Sequence, residues 1–249
     1  MPFINLLCRQ QKLNTISYKY SYLDRNIVLV GRSLSMLRKA AQADEAHDFQ
    51  GMGFYLGYPY CCTQQYYKEH IRQEEHCFPL LSLAQTKSSA RLNFLLNYLY
   101  NFDSRQYYKT QELHRAGYRF WHAFVIPHIP CSFECPQSLL YAEELWKILG
   151  RFFPNYQSKL KKYLQRPIFF LGDCEFVPLE GRAQRKAVWY SSPVNAKNLL
   201  EKSLLQLIVR GNRIRIENDT SSVWKGRRRI GTIDRRGAIF NFSGFSKGA

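Results

Sequence analysis

The sequence predicts an α+β fold, with helices packed on a small mixed sheet and a basic, β-rich C-terminal portion. Three observations carry this. Apolar residues recur at helical spacing in several stretches before residue 165. Short β-branched and aromatic runs such as Ile27-Val28-Leu29-Val30 and Pro167 to Leu171 end in glycine. Beyond residue 180 arginine alternates with isoleucine and turn signals multiply. The expected division is a Cys/His-bearing α/β domain over 1–180 and a small basic β-rich portion over 181–249, separate from it or part of the same domain.

Residues 1–25 are polar and Tyr-rich without a clear period and read as an arm or edge segment. The run Ile27 to Val30 reads as a strand ending at Gly31, and Ser33 can cap a helix through about Ala43. Gly51, Gly53 and Gly57 then break regularity before Pro59 fixes a turn. Thr63 to about Glu75 suits a partly exposed helix. Ser88 to Phe102 suits an apolar one, with Leu92, Leu95, Leu96 and Leu99 on one face. Phe120 to Ile126 reads as a strand. Pro136, followed by Leu139, Ala142, Leu145, Trp146 and Leu149, starts the clearest helix. A basic helix over 154–165, a strand over Pro167 to Leu171, a turn at Gly172 to Glu175 and a second extended run follow. Next come a weaker strand over 186–190, a helix from Asn195 to about Val209 and a strand over Arg213 to Glu217. Arg229 to Ile233 is expected to face Ala238 to Phe242 as a hairpin, with Gly237 supplying positive φ.

The length of 249 residues suffices for a proper core, and 17 Tyr with 17 Phe argue against disorder. No apolar run approaches the ~20 residues that span a bilayer, so no membrane partner is expected. The opening Met1-Pro2-Phe3-Ile4-Asn5-Leu6-Leu7-Cys8 lacks a basic n-region and a long h-region, which makes the cytoplasm the expected location. In that reducing compartment the seven cysteines point to metal or redox chemistry more than to disulfides.

Two stretches concentrate the thiols. In His128-Ile129-Pro130-Cys131-Ser132-Phe133-Glu134-Cys135-Pro136, prolines forbid helix around His128, and Pro136 places Cys135 at a helix N-cap. There the unpaired N–H groups and the helix dipole favour a thiolate, the form that binds metal or attacks an electrophile. Gly57-Tyr58-Pro59-Tyr60-Cys61-Cys62 supplies two more thiols in a similar turn-then-helix setting. The pair reads as two halves of one metal site. His128, Cys131, Cys135 and Cys62 are the expected ligands, since adjacent cysteines usually diverge and Cys62 leads into the following helix. Zinc is the first choice of metal and an iron–sulfur cluster the second. Three protein ligands would leave an open position for catalysis. A thiol nucleophile at Cys135 with His128 as base is a further reading. A radical-type Cys-x-x-x-Cys-x-x-Cys loop is nearly present, but its third position is Ser138. Phosphate loops and dinucleotide-binding fingerprints are absent. The bland alternative is that these are buried structural thiols and a satisfied loop histidine.

The same residues resemble a prokaryotic family of unknown function whose members carry a Gly-Tyr-Pro-x-Cys-Cys turn and a His-x-Pro-Cys-Ser-x-x-Cys helix start. The resemblance spans about Gly31 to Gly150. It implies that Tyr58, Cys61, Cys62, His128, Cys131, Ser132, Cys135 and Ser138 act together, and it implies no particular reaction.

Net charge is +17, and from Arg182 onward 15 basic against 4 acidic residues leave +11. Arg213, Arg215, Lys225, Arg227, Arg228, Arg229, Arg235 and Arg236 cluster there, with Trp224 beside them. Such a cationic sheet suits RNA or a small anionic molecule. It equally suits a solvated edge that discourages sheet-to-sheet aggregation.

Overall fold

The computed structural model describes residues 12–20, 25–71, 78–87, 91–99, 125–172, 175–184, 186–194 and 201–244. The chain divides into two compact units, Met1–Glu74 and Glu75–Ala249. The architecture is α+β, as expected, with seven α-helices and nine strands among the described residues.

In the first unit β1 (Asn14–Tyr20) and β2 (Arg25–Gly31) form an antiparallel pair. The unpatterned Tyr-rich segment therefore contains a strand. Helix α1 (Leu34–Glu45) starts at Ser33, whose hydroxyl accepts from Met36 N at 3.3 Å, and it buries Leu37, Ala40 and Ala41. The Tyr18 hydroxyl donates to Asp44 and ties that helix to β1. Helix α2 (Phe49–Tyr55) runs through Gly51 and Gly53, where the sequence suggests irregular chain. Its N-cap Asp48 accepts from Gly51 N at 2.8 Å, and a Cβ on Gly51 would lie 2.1 Å from the same carboxylate. A Cβ on Gly53 would stand 2.7 Å from Thr63 of α3 (Tyr60–Ile71). Both glycines serve close approach, at a helix-propensity cost of roughly 1 kcal/mol each.

The second unit holds α4 (Phe78–Ala84), a 3-10 turn (Phe94–Leu96), α5 (Pro136–Phe152), α6 (Pro154–Leu164) and α7 (Lys202–Arg210). Its strands are β3 (Ile168–Gly172), β4 (Glu175–Gln184), β5 (Ala187–Pro193), β6 (Arg213–Ile216), β7 (Ser221–Lys225), β8 (Arg228–Ile233) and β9 (Ala238–Phe240). They form one sheet in the order β8-β7-β6-β5-β4-β3-β9. Every strand pairing is antiparallel, so the sheet is not mixed as expected. Strand β4 continues past residue 180, with a register shift against β5 between Glu180 and Gly181.

Two elements differ from those the sequence predicts. Residues 229–242 do not form a hairpin: β8 pairs with β7 and β9 pairs with β3, at opposite ends of the sheet. The tight turn belongs to β7–β8, where Gly226 takes φ +61°. Gly237 instead permits a close approach, since a Cβ there would sit 2.3 Å from the Phe169 ring. From Ile233 to Ala238 five peptide steps reach at most about 19 Å. A flat sheet would hold its edges six strand spacings, or about 29 Å, apart. The sheet must curl until β8 approaches β9. Of Ser88 to Phe102, predicted as a helix, residues 91–99 are described and contain only the 3-10 turn. Asn93 and Asn97 side chains accept from Leu95 N at 3.0 Å and Leu99 N at 3.3 Å, competing with helix. Leu92 N donates to Asn241 O at 2.7 Å, outside any helical ladder.

Strand β3 is buried on both faces, which explains its unbroken apolar run. Ile168 and Phe170 enter a core with Phe133, Ala142, Leu164, Phe240 and Phe242. Phe169 and Leu171 enter a second core with Val188, Tyr190, Ile208, Ile214 and Val223. The buried Tyr190 hydroxyl donates to Ile208 O at 2.7 Å, and burial pushes its pKa far up, so the phenol stays neutral.

Candidate metal centre

The Gly57-to-Cys62 turn is a helix stop followed at once by a helix start. Gly57 sits at φ +72°, with Gly57 N donating to Phe54 O at 3.0 Å and Tyr58 N to Gly53 O at 2.9 Å. This 5→2 and 6→1 pair is a Schellman termination, and glycine is the residue that adopts the left-handed position without strain. Pro59 then opens α3, its carbonyl accepting from Cys62 N and Thr63 N, each at 3.0 Å. Cys61 and Cys62 occupy the first turn of α3, where the helix dipole favours thiolates. Cys61 is exposed and Cys62 is 2% exposed.

The second turn is anchored from several sides. Ser82 of α4 donates to Pro130 O at 2.7 Å and lies 3.1 Å from the Tyr98 hydroxyl. Phe133 N donates to Thr86 Oγ1 at 3.0 Å, and Lys87 N donates to Glu134 Oε2 at 3.0 Å. The Phe133 ring plugs the core, stacked on Tyr98 at 5.7 Å and edge-on to Phe240 and Phe242. Cys135 N donates to Ser132 O at 3.2 Å, and Cys135 is the N-cap of α5 with Pro136 at the first helical position, as the sequence predicts. Cys135 is 2% exposed and Cys131 is half-buried.

The ligand atoms of Cys61, Cys62, Cys131 and Cys135 all lie within 4.8 Å of one another and could hold a metal ion. The set differs from the expected one in two ways. Both vicinal cysteines belong to it, because the first turn of α3 sets their sulfurs 3.9 Å apart. That separation is far beyond a disulfide bond of about 2.05 Å. His128 is outside it. The imidazole Nε2 lies 2.9 Å from the buried Ser138 Oγ in α5, and the ring meets Tyr141 edge-on at 5.5 Å. Burial lowers the His128 pKa to about 4, against the opposing pull of Cys135, so the ring is neutral at ordinary pH. His128 thus links the Pro127–Pro130 segment to α5. Ser138, the position that departs from a three-thiolate loop, is its partner. Ser132 supplies the turn carbonyl, and its hydroxyl accepts from Glu134 N at 3.4 Å. Tyr58 provides the backbone N–H of the helix stop. Cys8, Cys77 and Cys174 lie outside the described residues, as do residues 120–124 of the expected strand.

The basic residues are distributed over three places. Arg213, Arg215 and Arg229 belong to β6 and β8. Lys225, Arg227 and Arg228 mark the β7–β8 turn. Arg235 and Arg236 lie between β8 and β9, where Arg235 pairs with Glu175 at 2.7 Å. The anchoring role of Ser82 and Thr86 was not foreseen; two small hydroxyl residues four apart carry no signal that distinguishes them from surface positions. No helix among the described residues is long and apolar enough to cross a membrane. Comparison with profiles of known families, with curated proteins and with solved structures finds no match, so the four-cysteine grouping stands on its own geometry.

Proposed function

We propose that this is a metal-binding protein in which Cys61, Cys62, Cys131 and Cys135 hold a single zinc ion as a tetrathiolate centre. The observation that carries the reading is the mutual approach of four sulfurs within 4.8 Å. Zn–S bonds of about 2.3 Å place the corners of a tetrahedron about 3.8 Å apart. The 3.9 Å between Cys61 and Cys62 Sγ is close to that edge. A multi-iron cluster would set iron and sulfide between thiolates and spread them further, so one ion fits the grouping better. Three of the sulfurs belong to the first turn or the N-cap of a helix, where the dipole offsets the net negative charge of a divalent ion with four thiolates.

A complete sulfur shell leaves no open position, which favours a structural centre over water activation. The family resemblance agrees in the residues it groups, with His128, Ser132, Ser138 and Tyr58 shaping the two turns. Elemental analysis of anaerobically purified protein tests the reading. One zinc per chain is expected, with loss after Cys131→Ser plus Cys135→Ser and retention after His128→Asn. Absence of stoichiometric metal, or its survival in the double serine variant, defeats the proposal. A brown preparation with iron in place of zinc would transfer the same ligands to iron.

A further inference from the structure

The sheet register aligns five side chains in one row across β4 to β8. Arg182 pairs with Trp189, Trp189 with Arg213, Arg213 with Trp224, and Trp224 with Arg229. The row alternates arginine and tryptophan from one strand to the next. Side chains alternate faces along a strand, so the opposite face receives Val188, Tyr190, Ile214 and Val223, all in the second core. The Arg/Trp row is on the outer face. Trp189 is 41% exposed there, and Arg182 and Arg229 are exposed.

The row is partly built in advance. The Arg213 guanidinium lies 4.7 Å over the Trp224 ring, and its buried Nε has no hydrogen-bond partner among the described residues. Stacking on Trp224 holds that arginine, with no ion pair to it among the described residues. Trp224 Nε1 donates to Ser222 Oγ at 2.9 Å, which fixes the indole plane. The neighbouring row, Gln184, Ala187, Arg215, Ser222 and Thr232, adds a small polar floor with one more cation. At the Arg182 end an open depression of ≈ 390 Å³ is lined by Arg91, Arg182, Ala183, Gln184 and Trp189. The acidic group at the far end is Glu217, 3.9 Å from Arg229 and 2.6 Å from Ser222 Oγ.

We propose that this outer face of β4–β8 is a platform for single-stranded nucleic acid, with bases stacked on Trp189 and Trp224 and phosphates held by Arg182, Arg213 and Arg229. Two indoles two strands apart stand on the order of 10 Å from each other. That spacing accommodates splayed, unstacked bases with cations between them. A duplex hides its base faces, and side chains cannot read its deep groove, so it gains nothing from the tryptophans. An acidic protein segment would satisfy the arginines and leave the indoles unused. The +11 charge from Arg182 onward supplies the long-range attraction.

The test uses the full-length metal-loaded protein and a fluorescein-labelled oligouridine of about 15 nucleotides, a length typical of such sites. Anisotropy is expected to show salt-dependent binding accompanied by quenching of tryptophan emission. Trp189→Ala and Trp224→Ala should each weaken it by about 5- to 100-fold, the usual effect of losing one stacked base. Trp189→Phe keeps a ring and should restore most of the loss. Should an alanine variant fail to fold by circular dichroism, Trp189→Phe against Trp189→Leu gives the same contrast at an exposed position. Equal binding by folded Trp189→Ala and wild type overturns the proposal. So does equal competition by an RNA duplex or by polyglutamate of matched length, since either would mean that charge alone is recognised.

Discussion

At the scale of single residues, the site depends on side chains whose work is done away from the thiols. Phe133 holds the Cys131–Cys135 turn by filling the core, and Ser82 and Thr86 grip its backbone. His128 is the residue whose role changes most on folding. The sequence offers it as a ligand because imidazole and thiolates within eight residues suit zinc. It offers no sign that Ser138, one turn into α5, stands 2.9 Å from the ring. The consequence is measurable. Burial holds the imidazole neutral, with a pKa of about 4 against the usual 6.5. Between those values the unfolded chain binds a proton that the folded protein refuses. This contribution to stability is therefore complete above pH 6.5 and is lost as the pH falls toward 4. Ring-proton NMR should show His128 still neutral at pH 6, where an ordinary histidine is mostly charged. A midpoint near 6.5 would contradict the buried placement.

At the scale of elements, two helix starts bring thiols forward, and both begin with proline-bearing turns. Helix α5 was legible because Pro136 and the apolar positions to Leu149 have one period and one stop. Helix α2 was hidden, since Gly51 and Gly53 lower propensity and their reason is packing against Asp48 and Thr63. The hairpin was misplaced for a related reason. Two glycines, Gly226 and Gly237, both follow β-rich runs, and only the register shows which one takes positive φ. Gly57 allows a direct check of the first turn. Gly57→Ala places a Cβ in open space, so its cost is purely conformational. About 1–2 kcal/mol is expected for forcing a side chain into the left-handed region. Urea unfolding should record that loss, and no loss would mean that the helix stop is not held as described. Strand β3 was read as buried from Ile168 to Leu171, and both of its faces do enter cores.

At the scale of the whole molecule, the α+β class follows from local periods, while the sheet's curl follows from a connection that no local pattern reveals. Gly237 is where that connection passes the sheet. Gly237→Ala would press a methyl to within 2.3 Å of the Phe169 ring and 3.0 Å of Phe170 O. Overpacking of this kind typically costs 1–3 kcal/mol, or about that much in urea stability. An unchanged midpoint would argue against so close an approach. The charge concentrated after residue 180 was plain in composition, but the Arg/Trp row emerges only once five strands are in register. The cysteine grouping behaves the same way: each turn was visible in the sequence, and the membership of Cys61 and the absence of His128 were not. X-ray absorption at the zinc edge of the purified protein reads the proposed ligand shell itself. Four sulfur neighbours at about 2.3 Å, with no nitrogen or oxygen in the shell, are predicted. A mixed shell containing a histidine nitrogen, or a shell with fewer than four sulfurs, would contradict it.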